Sequence, residues 1–293
     1  MENFFKKYAD FSVILAGILW GIIGIFVKSL GDSGLSAFDM MLVRSFFALI
    51  IIFIFLFIWD REKLKINLKD IWIFMCLGIV SFFMYGVLYF ITIEKTSMST
   101  AAVLLYTSPV FIMVMARIFF REKITKRKLL AIIITVMGTA FVSGGIEKNP
   151  EISGIVTGIL SGFFYGLYSI FGRIASKKYS SVTTTLYTFL FTFLAAISVA
   201  DFGNIIGVAK SEPMILSEFI LYAVITAAIP YILYTGALKY VPLSRAAIVV
   251  CVEPIVAMLT GVIFYGDKLG VMGLSGSLMI LGAILLSNTE KGL

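Results

Sequence analysis

One carboxylate interrupts the apolar stretch AAIVVCVEPIVAMLTGVIF, Ala246 to Phe264, where Glu253 stands directly before Pro254. The stretch is about long enough to cross a bilayer, and a charge at that depth costs a few kcal/mol or more, so the acid needs a partner, a proton or a task. Two tasks suit it. It can attract a cationic group, or it can carry a proton through a cycle, because desolvation favours the neutral carboxyl and an arriving ammonium favours the charged one. A third reading is structural: a protonated acid hydrogen-bonded to a backbone carbonyl or a neighbouring helix.

Tyrosines share that depth. Phe82, Tyr85 and Tyr89 follow helical spacing on one face of an apolar run; Ser161, Tyr165, Tyr168 and Gly172 do so in another, and Tyr231 and Tyr234 sit in a third. A tyrosine near the membrane boundary is an interfacial anchor. Tyr85, Tyr106, Tyr165 and Tyr231 lie too deep for that role to suffice, so their hydroxyls need partners in a bundle or a wet cavity. A carboxylate among such rings suits an ammonium group by charge and by cation–π attraction.

Pro109, Pro230 and Pro254 also fall inside apolar runs. Each removes a backbone donor and frees a carbonyl about one turn earlier, at Leu105, Thr226 and Val250, which marks kinks. The kinks either shape the helices or form hinges of a gated mid-membrane site. Gly17, Gly21 and Gly24 share a helix face and either permit close packing or ease bending. Arg44, in the outer half of its run, has three open fates: snorkelling outward, capping a neighbouring helix, or contacting a cavity.

The elements that must position these residues follow from composition. With 60% hydrophobic and 14% charged residues and a mean hydropathy of +1.03 over 293 residues, the chain is expected to be an all-α integral membrane protein. Ten apolar runs are expected to span: Ser12–Leu30, Ala37–Ile58, Ile71–Ile91, Met98–Phe119, Lys128–Ser143, Gly154–Gly172, Thr183–Ala200, Glu218–Ala237, Leu243–Phe264 and Gly270–Ser287. The seams carry charge, Gly, Pro or Ser, as in WDREKLKINLKD and GGIEKNPEISG. Alternate seams collect most of the Lys and Arg, which predicts both termini on the cytoplasmic side of the inner membrane.

Several classes are excluded. Histidine is absent, which removes the commonest general base and zinc ligand, and no paired mid-span aspartates occur, so neither an intramembrane enzyme nor a metal site is expected. Cys76 and Cys251 lie in apolar runs and read as small buried hydrophobes. The basic excess is topological bias and implies no nucleic acid. No P-loop is present, so no cofactor is expected and work must draw on a substrate gradient, a proton or exchange.

The chain also repeats. STAAVLLYTSPVFIMVMARIFFREK (Ser99–Lys123) aligns without a gap on SRAAIVVCVEPIVAMLTGVIFYGDK (Ser244–Lys268), Tyr89 falls on Tyr234, and GILWG (Gly17–Gly21) matches GILSG (Gly158–Gly162) more weakly. An odd five-span repeat must insert its second copy upside down. This pattern resembles the EamA-type carriers of the drug/metabolite transporter superfamily. The residues that bear the resemblance are Trp20-Gly21, Arg44 in MMLVRSFFALIII, the S-x-A-A-x(6)-P pattern ending at Pro109 and Pro254, the closing acids Glu122 and Asp267, and Gly138 and Gly282. Asp267 stands where Glu is commoner.

The resemblance implies ten helices as two inverted five-helix repeats, 12–144 and 152–288, around a central cavity, with alternating access by rocking of the halves. Trp20 then joins Glu253, Tyr85, Tyr89, Tyr106, Tyr165, Tyr168, Tyr231 and Tyr234 as candidate substrate-binding residues. The expected function is secondary transport of small polar or amphipathic metabolites, with amino acids or amines favoured by Glu253. A lipid or lipid-linked flippase of the same fold is the alternative. The expected partners are a small-molecule substrate and the bilayer, with the protein a monomer or homodimer.

Overall fold

A computed structural model describes residues 2–211 and 214–288. Ten long helical segments carry the described chain: α1 (Glu2–Asp32), α2 (Ala37–Trp59), α3 (Leu68–Lys95), α4 (Met98–Phe120), α5 (Lys126–Val142), α6 (Ile152–Ser176), α7 (Ser181–Ala196), α8 (Ile215–Ala237), α9 (Leu243–Tyr265) and α10 (Val271–Asn288). Eight are long and apolar enough to cross a membrane; α7 is apolar but 16 residues long, and α5 opens on Lys-Arg-Lys. A short helix, Phe202–Ser211, joins α7 towards α8, and no strand occurs among the described residues.

Side-chain caps fix where helices begin. The Ser36 hydroxyl accepts from Asp39 N while the Asp39 carboxylate accepts from Ser36 N, a capping box that starts α2. Ser97, Thr125 and Ser180 cap α4, α5 and α7 in the same sense. At the far ends of α4 and α9, Arg121 (φ 56) and Gly266 (φ 71) turn left-handed and stop the helix. These two positions correspond under the shift that carries Ser99 onto Ser244. Outward faces stay apolar: Phe53, Ile54, Phe57, Ile58 and Trp59 of α2 are all exposed, as a lipid-facing surface requires.

The helices break where proline demands it. α4 is interrupted at Tyr106-Thr107, just before Pro109; α8 widens to a π-helical stretch, Val224–Ala228, before Pro230; α9 tightens to a 3₁₀ turn, Val250–Val252, before Pro254. The Val250 carbonyl is not left free, since it accepts from Glu253 N in that tight turn. A second π-helical stretch, Cys76–Phe83 in α3, has no proline behind it. There the backbones of α3 and α7 touch: a Cβ on Gly78 would lie 2.5 Å from the Thr188 carbonyl, and Thr192 Oγ1 donates to the Gly78 carbonyl at 3.1 Å. That outside donor and Ser81 Oγ, bonded to the Cys76 carbonyl at 2.8 Å, support the widened turn.

Packing is reciprocal between the halves. α1 packs on α8 and α9, and α6 packs on α3 and α4; α7 lies on α3 as α2 lies on α8, while α2 pairs with α7 and α5 with α10. Glycine sets the closest approaches. A Cβ on Gly17 would meet the Val250 carbonyl at 2.8 Å, and one on Gly162 would meet the Leu105 carbonyl at 3.0 Å. Likewise Gly21 faces the Glu253 carbonyl and Gly166 the Ser108 carbonyl. Gly17 therefore corresponds to Gly162, and Gly21 to Gly166, by the shift that aligns Ser99 with Ser244; this corrects the weaker match of Gly17–Gly21 with Gly158–Gly162. Gly24 departs from the expected packing face. Among the described residues no neighbouring side chain or other helix comes within 4 Å of its Cβ position, because α1 breaks at Ile22 and the helical register does not carry across.

Candidate substrate site

The middle of the bundle is an aromatic box. Trp20 from α1, Phe82 and Tyr85 from α3, Tyr165, Tyr168 and Ser169 from α6, and Tyr231 and Tyr234 from α8 line a small cavity. Its volume of about 10 Å3 holds roughly one water. Tyr231 is the hub: its ring centre lies 4.9 Å from Trp20, 5.1 Å from Tyr168 and 5.3 Å from both Phe82 and Phe189, at steep angles. Two tyrosines have found buried partners, Tyr168 Oη at 2.8 Å from Thr235 Oγ1 and Tyr234 Oη at 2.8 Å from Ser169 Oγ. Ser169 and Thr235 were not singled out from the sequence. Each follows a candidate tyrosine by one residue at mid-span, and that adjacency of hydroxyls was the available signal.

Glu253 stands beside the box at the start of the post-proline part of α9. Tyr106, Tyr89, Tyr165 and Cys251 share its surroundings. The expected site residues thus divide into two groups joined by Tyr165: the box, and a polar cluster of Glu253, Tyr89 and Tyr106. Glu253, Tyr85, Tyr89 and Tyr165 are half-buried, whereas Trp20, Tyr168, Tyr231 and Tyr234 are buried. Tyr89 and Tyr234, equivalent in sequence, therefore stand in unlike places.

Arg44 does not snorkel. It is 7% exposed, and its guanidinium lies 5.0 Å from the Phe82 ring centre and 5.7 Å from that of Tyr222. The hydroxyls of Tyr85 and Tyr222 are its polar neighbours.

The two ends of the bundle differ. At the end where the basic seams meet, the Glu122 carboxylate accepts from Leu243 N (2.7 Å) and Ser244 Oγ (2.8 Å), tying α4 to the start of α9, where Pro242 offers no side-chain cap. There too Arg245 pairs with Asp10 at 2.9 Å, Lys239 with Glu2, and Arg173 donates to the Val241 carbonyl. The Glu2 carboxylate holds the Lys239 ammonium above its ordinary value. At the opposite end, Lys95 pairs with Glu151 at 3.0 Å and Asn204 Nδ2 with Asp39 Oδ2 at 3.0 Å. Asp267, the counterpart of Glu122, is exposed there, and no hydrogen bond joins it to Met98 or Ser99 among the described residues. In keeping with this, the second half of α4 packs closely on the first turns of α9, and no comparably close packing joins Met98–Leu105 to Glu253–Tyr265.

Helices of this length and hydropathy, wrapped round a buried polar site, define a multi-pass membrane protein. The EamA-like transporter family profile matches the chain twice, over residues 7–144 and 152–289, and the chain belongs to that family, within the drug/metabolite transporter superfamily. It is similar to an uncharacterized transporter of Archaeoglobus fulgidus, 26% identical over 291 residues that cover 97% of each chain. An uncharacterized transporter of Bacillus subtilis is 24% identical over 98% of this chain and 91% of its own length, and an uncharacterized inner membrane transporter of Salmonella typhimurium 26% over 96% and 95%. A solved structure titled only "Crystal structure of protein" shares the fold, with a TM-score of 0.81 at 15% identity and 97% coverage of each chain. A bilayer and a small-molecule substrate follow from the family.

Proposed function

We propose that the chain crosses a cytoplasmic (inner) membrane ten times as two inverted repeats, 12–144 and 152–288, with both termini cytoplasmic. In this reading it is a secondary carrier of small polar or amphipathic metabolites, amino acids or amines, driven by a gradient, a proton or exchange. The twofold family match and the reciprocal packing of α1 with α8–α9 and of α6 with α3–α4 support the repeats. The basic seams support the orientation.

The observation that carries alternating access is the unequal state of two equivalent ends. Glu122 ties α4 to α9 at the basic end, while Asp267 leaves Met98 and Ser99 untied at the other. In this reading the contact between α4 and α9 is closed at the cytoplasmic end and open at the outer end. Rocking exchanges these states: the Glu122 tie opens as Asp267 approaches Ser99. Pro109, Pro230 and Pro254 act as hinges, since each interruption lies at the level of the site. A short bifunctional thiol reagent tests this in a background lacking Cys76 and Cys251. The reagent is expected to link E122C to S244C and block amino-acid uptake into proteoliposomes, and to link S99C to D267C more as substrate is added. Simultaneous linking of both pairs in one molecule, or linking without effect on uptake, contradicts the reading.

A further inference from the structure

Arg44 is a charged side chain at membrane depth with no carboxylate paired to it among the described residues. It is 7% exposed. A guanidinium stays charged under all ordinary conditions and presents a rigid fork of donors matched to a carboxylate. Among the described residues its Nε has no hydrogen-bond partner, and neither has Nε1 of Trp20, a residue of the box wall. Both atoms only donate. Buried donors without acceptors are rare enough to need an explanation.

The neighbours say where that explanation lies. The Arg44 guanidinium stands over Phe82 and beside Tyr85 and Tyr231, three of the eight residues that line the box. The carboxyl nearest this group is that of Glu253, with Tyr106 beside it. Arg44 therefore adjoins the box through Phe82, Tyr85 and Tyr231, Trp20 lines it, and Glu253 lies on the far side of Tyr165.

We infer that Arg44 is an anion subsite that takes the carboxylate of the substrate, with Trp20 Nε1 as a second donor, while Glu253 takes the ammonium. This rests on the carrier reading above and narrows it: the substrates are zwitterions, α-amino acids, and their decarboxylated amines are poor ligands. An amine alone leaves Arg44 and Trp20 unanswered, and a simple carboxylate leaves Glu253 unanswered. A ligand with both charges satisfies all three. Tyr85, which borders both Arg44 and the box, must turn aside when the carboxylate arrives, and its half-buried position on α3 allows that.

The test is a thermal-shift titration of the purified full-length protein with propionate, with L-phenylalanine or L-leucine, and with phenethylamine or 3-methylbutylamine. Wild type, R44Q and R44K are compared; R44K keeps the charge, so it reports even where R44Q fails to fold. The wild type is expected to gain stability with propionate and to bind each amino acid about tenfold or more tighter than its amine, as one charge-assisted bond allows. R44K is expected to lose most of that discrimination and the propionate effect while still binding amines. Equal binding of amino acid and amine by the wild type, or full discrimination by R44K, overturns the subsite. If amines bind and are carried while propionate has no effect, the carrier reading stands and the subsite falls. If propionate protects only the wild type while amino acids and amines are silent, the metabolite class falls and the subsite stands. Silence of every probe overturns both.

Discussion

Gly17→Ala places a methyl group where the structure has no room. The added Cβ would lie 2.7 Å from Val252 Cγ1 and 2.8 Å from the Val250 carbonyl. The carbonyl is backbone, held by its bond from Glu253 N, so it cannot swing away as a flexible side chain could. Ordinary contact begins near 3.4 Å or more, so α1 must retreat from α9 by several tenths of an ångström. Gly21 sits one turn on against the Glu253 carbonyl and feels the same retreat. Overpacking of this kind costs about 1–3 kcal/mol. Gly24→Ala is the control on the same helix, with no neighbouring side chain or other helix within 4 Å of its Cβ position among the described residues, and it gains up to about 1 kcal/mol of helix propensity. Thermal unfolding in detergent reads the difference, at roughly 2–4 °C per kcal/mol for a large domain. G17A and its counterpart G162A are expected to melt several degrees lower, and G24A no lower than the parent. Equal losses for G17A and G24A would refute close approach of α1 to α9 as the reason for glycine here.

Tyr234→Phe removes only the bond to Ser169 and is expected to keep the fold while lowering uptake, whereas Tyr234→Ala also empties a buried site and costs about 3–5 kcal/mol, read by melting. Tyr89→Ala, on a half-buried side chain beside Glu253, is expected to lower uptake with little change in melting; normal uptake by both Y234F and Y89A removes these rings from the substrate path. The Glu151 carboxyl is held below the ordinary range by the Ser153 hydroxyl and then by Lys95. A depressed carboxylate lends stability that is present above its unfolded value and is lost as pH falls through its folded value, so the melting difference between wild type and E151Q is expected to hold from pH 7 to about pH 5 and to vanish only well below about pH 4. A difference that fades between pH 7 and 5 contradicts the tie.

Much of this architecture is written in local patterns. The helices follow from apolar runs and caps, and the interruptions before Pro109, Pro230 and Pro254 follow from a missing donor. The π-helical stretch at Cys76–Phe83 is invisible because its cause lies on another helix, at Thr188 and Thr192 of α7. Gly24 continues the spacing of Gly17 and Gly21, but the break at Ile22 ends the register that spacing assumes. Six candidate residues, Trp20, Tyr85, Tyr165, Tyr168, Tyr231 and Tyr234, meet in one box because mid-span depth, a one-dimensional property, selects for it. The inward course of Arg44 was one of three readings open from its position, since depth alone does not say which way a side chain turns. The unequal ties at Glu122 and Asp267 belong to a conformational state, and two equivalent sequences carry no record of which is closed.

The measurement that bears most directly on the account is uptake of a labelled amino acid into proteoliposomes by Glu253→Gln beside the parent, from about pH 5 to 8, the range in which a buried carboxyl can exchange its proton. Glutamine keeps the volume and a donor for the Tyr106 hydroxyl or a carbonyl, and removes the charge. The variant is expected to fold and melt like the parent, and to lose uptake or lose its pH dependence. Uptake equal to that of the parent at every pH, by a protein that binds the same substrate, would make Glu253 a structural acid and contradict its place at the heart of the site.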